Sequence, residues 1–164
     1  MRPTRQYGRM GRRITTVCTR EMPYPKCEAV AAIWEIKNIE RTEVKADAVV
    51  VHPETRDRGT YRVRGRFGGV PWRGEFVYFL NESGFHSRNA GVPPEEATIE
   101  GGFVVTPIAD GCTVIHYEQY VLARPLVPLK QLIRLYLHWS MARELRDLER
   151  LIATARETRP VVMA

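Results

Sequence analysis

The sequence predicts an α+β fold in which a curved antiparallel sheet of about seven strands wraps around one long C-terminal helix. Two observations carry this prediction. Short segments of alternating character follow one another up to about residue 121, and an uninterrupted helical pattern then fills about residues 127–156. Neither element can bury its apolar face alone, so we expect the helix to lie across the concave face of the sheet. Such packing tends to enclose a cavity.

The first part of the chain predicts one strand followed by short helices. Residues 13–19 (RITTVCT) are rich in β-branched side chains, which favour strands, and two nearby prolines end that segment. Apolar residues then recur at helical spacing, which predicts an amphipathic helix over 26–37 and a second helical turn at about 38–41.

Six further strands are expected before the long helix, with turns rich in glycine, proline and aspartate between them. They cover residues 46–52, 60–67, 72–80, 84–90, 97–106 and 113–121. In the second of these, Arg62, Arg64 and Arg66 share one face. Successive side chains point to opposite faces of a strand, so the opposite face, which carries Tyr61, should be the inward one.

The long helix shows an apolar stripe interrupted by one acidic residue. The stripe follows steps of four and seven residues and consists of Ile133, Leu137, Met141, Leu148 and Ile152. Glu144 falls inside it. An apolar environment would raise the pKa of this carboxyl and allow it to orient a ligand or to act as an acid or base. The alternative is a glutamate at the edge of the stripe that pairs with an arginine.

A second apolar patch lies on roughly the opposite face of the same helix. It consists of Leu132, Leu135 and Trp139. This patch indicates a surface that docks on a membrane or forms a homodimer near a cavity entrance. Alternatively, the N-terminal arm or a neighbouring loop covers it.

Composition and charge fit a single soluble domain. The chain has 164 residues, of which 44% are hydrophobic and 27% charged, values that are ordinary for a globular protein. Five of the six net positive charges lie within residues 1–13, so nucleic acid is not an expected partner of the domain. We expect a flexible basic arm over 1–12, one domain over 13–156 and a tail over 157–164.

We also expect a cytoplasmic protein without a metal or cofactor. No apolar run approaches the ~20 residues that span a bilayer, and the N-terminus lacks the apolar core of a secretory signal. The spacing of Cys18, Cys27 and Cys112 matches no metal or redox motif. The histidines at 52, 86, 116 and 138 are scattered, and they form no known ligand pattern.

Several segments of the sequence resemble those of the START-like SRPBCC superfamily, which has the helix-grip fold. Four segments carry the resemblance: EAVAAIWEIKNIER, GTYRVRGRFGGVPWRGEF, GGFVVTPIADGCTVIHYEQYVL and ELRDLERLI. It covers about residues 13–156 and is nearest to bacterial polyketide cyclase/dehydratase-type and coenzyme Q-binding chaperone-type proteins. One segment departs from the pattern. Glu43-Val44-Lys45-Ala46 lacks the Trp-Pro pair of many relatives, which weakens the expectation of a ligand contact from this loop.

The resemblance implies an internal cavity for a hydrophobic ligand, and strand alternation gives its expected lining. The strand residues are Tyr61, Val63, Phe67, Phe76, Tyr78, Phe85, Ile99, Phe103, Ile115, Tyr117 and Gln119, and the helix adds Ile133, Leu137, Met141 and Glu144. By the same alternation His116 and Glu118 should face outward. The alternative is that these residues simply pack as a core.

Three functions remain open from the sequence. The first is binding or transport of a lipid, isoprenoid or polyketide-like molecule. The second is a polyketide cyclase or dehydratase that uses Glu144 or Tyr117, the two weak catalytic candidates. The third is a non-catalytic protein-interaction module. Binding is favoured over catalysis because the sequence shows no recognisable catalytic triad or carboxylate pair.

Overall fold

The computed structural model describes residues 11–158, and these form seven strands and three α-helices. The expected flexible arm therefore lies almost entirely outside the described residues, as does most of the expected tail. The strands form one antiparallel sheet in the order β1-β7-β6-β5-β4-β3-β2. They are β1 (Arg13–Met22), β2 (Ala48–Pro53), β3 (Arg58–Phe67), β4 (Val70–Asn81), β5 (Gly84–Asn89), β6 (Ile99–Ile108) and β7 (Gly111–Val121).

The helices follow β1 and β7, as predicted. Two short helices, α1 (Lys26–Trp34) and α2 (Ile39–Thr42), are joined by a 3₁₀ turn. The long helix α3 (Lys130–Glu157) follows a 3₁₀ helix (Arg124–Leu129). The helix-grip architecture predicted from the sequence is confirmed. None of the helices in the described part of the chain is long and apolar enough to cross a membrane.

The element boundaries differ from the predicted ones for local reasons. Strand β1 runs on to Met22, because β7 pairs with it along its whole length. Strand β6 continues through Pro107, where β5 no longer pairs with it and that side is an edge that tolerates proline. Helix α3 begins three residues later than expected, because Pro128 lies inside the preceding 3₁₀ helix.

The core lies between the concave face of the sheet and the helices. In β3, Tyr61 and Val63 are buried while the three arginines of the opposite face are exposed, as the alternation predicted. On α3 the predicted stripe is buried, except that Ile133 is partly exposed. Glu144 is buried within it. On the opposite side, Leu132, Leu135 and Trp139 are exposed.

The predicted facing of β7 is wrong. The buried side chains are Cys112, Val114, His116 and Glu118, whereas Ile115, Tyr117 and Gln119 lie on the outer, convex face. Glu118 pairs beneath the sheet with the ammonium of Lys45, which offsets the cost of burying its charge, and His116 is neutral and faces Glu144.

The three outward residues of β7 are also accommodated on the convex face. The Tyr117 hydroxyl lies 2.8 Å from Nδ1 of His86, and the two rings stack. The Gln119 amide donates to Glu100 at 2.8 Å. Ile115 is partly exposed there. None of the three reaches the concave side.

Candidate functional site

A cavity of about 300 Å³ lies between the concave face of the sheet, the 3₁₀ helix and the start of α3. Its apolar wall consists of Val63, Phe67, Trp72, Phe76, Ile99, Val121, Leu122, Ala123, Leu126 and Ile133. Its polar wall consists of Glu43, Tyr61, Ser87, Thr98, Glu118 and Tyr120. Leu126 is 42% exposed, so the cavity reaches the surface beside the 3₁₀ helix.

Only part of the predicted lining takes part in this cavity. The residues that do are Tyr61, Val63, Phe67, Phe76, Ile99 and Ile133. Five others, Tyr78, Phe85, Phe103, Leu137 and Met141, are buried but pack as solid core. Glu144 is buried beside the cavity without lining it, and Ile115, Tyr117 and Gln119 face away from it. The concave face is thus filled at one end and hollow at the other.

Apart from Tyr61, the residues of the polar wall were not found from the sequence. Glu43 comes from the loop after α2, the segment whose departure from the family pattern weakened the expectation of a ligand contact. Glu118 and Tyr120 come from the face of β7 that alternation assigned to solvent. The signal available was the pair His116 and Glu118, two residues apart, which alternation places on one face together with Tyr120.

A fully buried lysine organises the polar wall. Nζ of Lys45 lies 3.0 and 3.1 Å from the two carboxylate oxygens of Glu118, 3.1 Å from Oε1 of Glu43 and 3.4 Å from Oγ of Ser140. Tyr120 adds a hydrogen bond to Oε2 of Glu118 at 3.2 Å. We call Glu43, Lys45, Glu118 and Tyr120 the carboxylate clamp.

The clamp keeps the lysine charged in spite of its burial. Desolvation lowers the pKa of Lys45, but the neighbouring carboxylates of Glu118 and Glu43 raise it further than burial lowers it, and the net direction is upward. Desolvation, with the charge of Glu118 next, likewise raises the pKa of Tyr120 well above its ordinary value. Lys45 is therefore an ammonium and Tyr120 a neutral phenol at physiological pH.

The position of Lys45 depends on a close backbone approach. A Cβ atom at Gly65 of β3 would lie 1.9 Å from the carbonyl oxygen of Lys45, so only glycine fits there. The same carbonyl accepts a hydrogen bond from Nε1 of Trp72 at 2.8 Å. These two contacts fix the backbone from which Lys45 enters the interior.

Behind the clamp lies a buried pair formed by His116 and Glu144. Nδ1 of His116 faces Oε2 of Glu144 at 3.4 Å, and neither atom makes a hydrogen bond among the described residues. The imidazole stacks on Phe103, with ring centroids 4.2 Å apart. Burial, together with Lys45, lowers the pKa of His116 to about 3. Burial, followed by the charge of Glu43, raises the pKa of Glu144 well above its ordinary value.

Three of these groups also have the spacing of metal ligands. His116, Glu118 and Glu144 offer ligand atoms within 4.8 Å of one another. The ammonium of Lys45, however, already lies against the carboxylate of Glu118 and neutralises its charge, and Glu144 favours its neutral form. A divalent cation would have to compete with that ammonium, so the arrangement fits an internal ion pair better than a metal centre.

The fold can be compared with known proteins. No protein-family model matches the sequence, and no curated protein matches it either. Solved structures do match. A Thermus thermophilus protein superposes with a TM-score of 0.75 at 16% identity, over 87% of this chain and 99% of that chain. The Zhui aromatase/cyclase from a Streptomyces species gives a TM-score of 0.66 at 11% identity, over 93% and 99% of the two chains.

A third match extends the comparison to lipid transfer proteins. A STAR-related lipid transfer protein from Xanthomonas axonopodis gives a TM-score of 0.64 at 9% identity, over 85% of each chain. The chain has the START-like SRPBCC fold. At these identities the likeness concerns the fold alone, so the chemistry of the cavity must be argued from its own residues.

Proposed function

We propose that this protein binds a small hydrophobic molecule that carries one polar group, within the cavity beside the start of α3. The observation that carries the proposal is a mostly apolar cavity lining with one cluster of polar groups, Glu43, Glu118 and Tyr120, the pattern typical of small-molecule sites. The names of two proteins with this fold, an aromatase/cyclase and a lipid transfer protein, support an apolar ligand.

The size of the cavity limits what it can enclose. At about 30 Å³ for a water-sized group, a volume of about 300 Å³ holds on the order of ten such groups. A molecule of one or two rings fits entirely. A longer chain would have to leave past Leu126, where the cavity reaches the surface.

A cavity-blocking variant tests this function. Val121 lines the cavity and is partly exposed, so Val121→Trp should fill it without disturbing the core. Calorimetric titration with naphthalene should show binding to the natural protein and at least tenfold weaker binding to the variant. Val17→Trp is the matched control, because Val17 is exposed on β1 and does not line the cavity. Equal affinity in the blocked and control variants would contradict the proposal.

A second candidate function is a cyclase or dehydratase, and the clamp favours it. Glu118 is a carboxylate on the wall of an apolar cavity, with the phenol of Tyr120 beside it. In this position Glu118 would accept a proton from a carbonyl compound, whereas Glu144 and Tyr117, the candidates from the sequence, do not line the cavity. Turnover of an aromatic polyketide precursor that is lost in Glu118→Gln but kept in Tyr117→Phe would support this function. Full turnover by Glu118→Gln would reject it.

We further propose that the exposed apolar patch docks on an anionic membrane surface, where the ligand is exchanged. The patch of Leu132, Leu135 and Trp139 is exposed, as are Leu126 and Leu129, and Leu126 also lines the cavity. From residue 122 to residue 143 the sequence has four basic residues and no acidic one. An apolar patch with basic neighbours is the pattern of interfacial helices on anionic lipid.

The cysteines support a reducing compartment such as the cytoplasm. Cys18, Cys27 and Cys112 are all free thiols, and two of them are buried. Thiols of this kind persist where glutathione keeps cysteine reduced. We therefore propose a cytoplasmic location for the binding activity.

A further inference from the structure

The ionisable side chains that line the cavity are carboxylates and phenols, without a basic residue among them in the described chain. Among the lining residues of the described chain, the ionisable ones are Glu43, Glu118, Tyr61 and Tyr120, and none is a lysine, arginine or histidine. Lys45, the one cation of the clamp, lies behind the two carboxylates with only 1% of its side chain exposed. A ligand therefore meets the carboxylates first.

The ammonium of Lys45 has no hydrogen left for a ligand. It carries three N–H donors, and its neighbours at 3.0–3.4 Å are Glu118, Glu43 and Ser140. An anionic head group could not reach Lys45 without displacing a carboxylate. The lysine thus neutralises part of the charge of the wall without acting as a receptor for anions.

The phenol donors are committed as well. Tyr120 donates to Oε2 of Glu118 at 3.2 Å, and Tyr61 donates to Oγ of Ser87 at 3.0 Å. Each carboxylate oxygen has two lone pairs, so Glu43 and Glu118 retain free acceptor capacity. With two carboxylates sharing one ammonium, the polar end carries a net negative charge.

We infer that the cavity selects an apolar ligand whose polar group donates hydrogen bonds, as a hydroxyl or an amine does, and rejects a carboxylate or a phosphate. This inference rests on the proposed binding function and adds the chemical class of the ligand. A donor gains a charge-assisted hydrogen bond to Glu43 or Glu118. An anion meets like charge in a largely apolar site, where the repulsion is less screened than in bulk water.

Three ligands with the same ring system test the inference. Naphthalene, naphthol and naphthoate are titrated into the natural protein at pH 7 by calorimetry. We expect naphthol to bind more tightly than naphthalene and at least tenfold more tightly than naphthoate. Naphthoate binding as tightly as naphthol would overturn the inference and leave the binding function standing. The absence of binding by all three would overturn both.

Two charge-neutralising variants identify the groups responsible. Glu43→Gln and Glu118→Gln each remove one negative charge from the wall, so the preference for naphthol over naphthoate should shrink by about tenfold. Glu43 is only partly buried, so its variant should fold even if Glu118→Gln does not. Glu54→Gln, at an exposed position outside the cavity, is the control. An unchanged preference in the clamp variants would overturn the inference.

Discussion

The two ends of the concave face differ in how completely α3 fills them. Along the C-terminal half of α3, the inward side chains are buried, and the outward arginines pair with acidic residues, as Arg143 and Arg150 do with Asp147. Along the N-terminal half, a cavity remains under Ile133, while Leu132 and Leu135 project into solvent. The packed end meets the requirements of folding. The hollow end keeps apolar surface both inside and outside, which folding alone does not require.

A polar layer separates the two ends. Glu118 faces the cavity on one side, and His116 stacks on Phe103 of the packed core on the other. Lys45 holds this layer together through its contacts with Glu118, Glu43 and Ser140. The buried charges therefore lie where the packed core stops and the hollow end begins.

Removing the ammonium of Lys45 from the polar layer should cause the largest loss of unfolding free energy. Lys45→Met leaves Glu118 buried beside Glu43 without a counter-charge, and breaking a buried ion pair costs about 3–5 kcal/mol. Urea unfolding measures the loss. Lys37→Met is the matched control, because Lys37 is exposed and its ion pair with Glu40 should contribute less than about 1 kcal/mol. Equal losses in the two variants would show that the clamp is not a structural boundary.

Substitutions of two isoleucines in the apolar stripe of α3 allow a direct comparison of the packed end with the hollow end. Ile152 is 2% exposed in the packed half, so Ile152→Ala should cost about 2–5 kcal/mol of unfolding free energy. Ile133 lines the cavity and is partly exposed, so Ile133→Ala should cost about 1 kcal/mol and should change ligand affinity instead. Denaturant unfolding and naphthalene titration of both variants give the comparison. A larger loss of unfolding free energy in Ile133→Ala than in Ile152→Ala would contradict the distinction between a packed and a hollow end.

The buried pair behind the clamp should shape the pH dependence of stability. His116 has a folded pKa of about 3, so its contribution to stability is lost as pH falls below the ordinary histidine value of about 6.5. Glu144 has a raised folded pKa, so the unfolded chain ionises first and stability falls as pH rises above the ordinary glutamate value of about 4.3. Between these values the two slopes cancel, and stability should be flat.

Glu144→Gln tests that account. The glutamine amide does not ionise. The variant should therefore lack the fall in stability with rising pH that Glu144 causes, which amounts to about 1.4 kcal/mol per pH unit for one proton. Thermal unfolding from about pH 5 to about pH 8 should show the variant gaining stability relative to the natural protein as pH rises. Its affinity for naphthalene should stay unchanged, because Glu144 does not line the cavity. Parallel pH profiles for the two proteins would contradict the assignment of a neutral Glu144.

The smallest effect on stability is expected at the outer apolar patch. Leu135 is 68% exposed, so Leu135→Gln should change unfolding free energy by less than about 0.5 kcal/mol. Co-sedimentation with anionic vesicles should nevertheless fall, whereas Val17→Gln, on the exposed side of β1, should leave it unchanged. A natural protein that ignores the vesicles would reject membrane docking. Sedimentation of that protein as a dimer would identify a second copy of the chain as the occupant.

The sequence predicts the fold better than the site, and β3 and β7 show why. In β3 three arginines mark the solvent face without ambiguity, so the buried face follows. In β7 the more apolar set, Ile115 and Tyr117, lies outside, while His116 and Glu118 lie inside. The burial of Glu118 is offset by Lys45, 73 residues away in the chain, and no local pattern reveals that contact.

Only part of the lining of the hollow end could be predicted, because the rest also depends on tertiary packing. The strand residues of its wall follow from alternation once the long helix is placed. Leu122, Ala123 and Leu126 come from an irregular connection, and their positions depend on how the 3₁₀ helix packs. Whether inward residues such as Phe85 fill a core or line a space depends on volumes that only tertiary packing sets.

The absence of a side chain at Gly65 makes that position a marker for the chemistry of the whole cavity. A chain of this fold with any other residue there could not bring the carbonyl of residue 45 so near β3, and its lysine would enter from a different place. Residue 65 and the loop over 43–46 should therefore be exchanged together when the site is redesigned. Among homologous sequences, glycine at 65 together with lysine at 45 should distinguish the proteins that keep the acidic wall from those that have lost it.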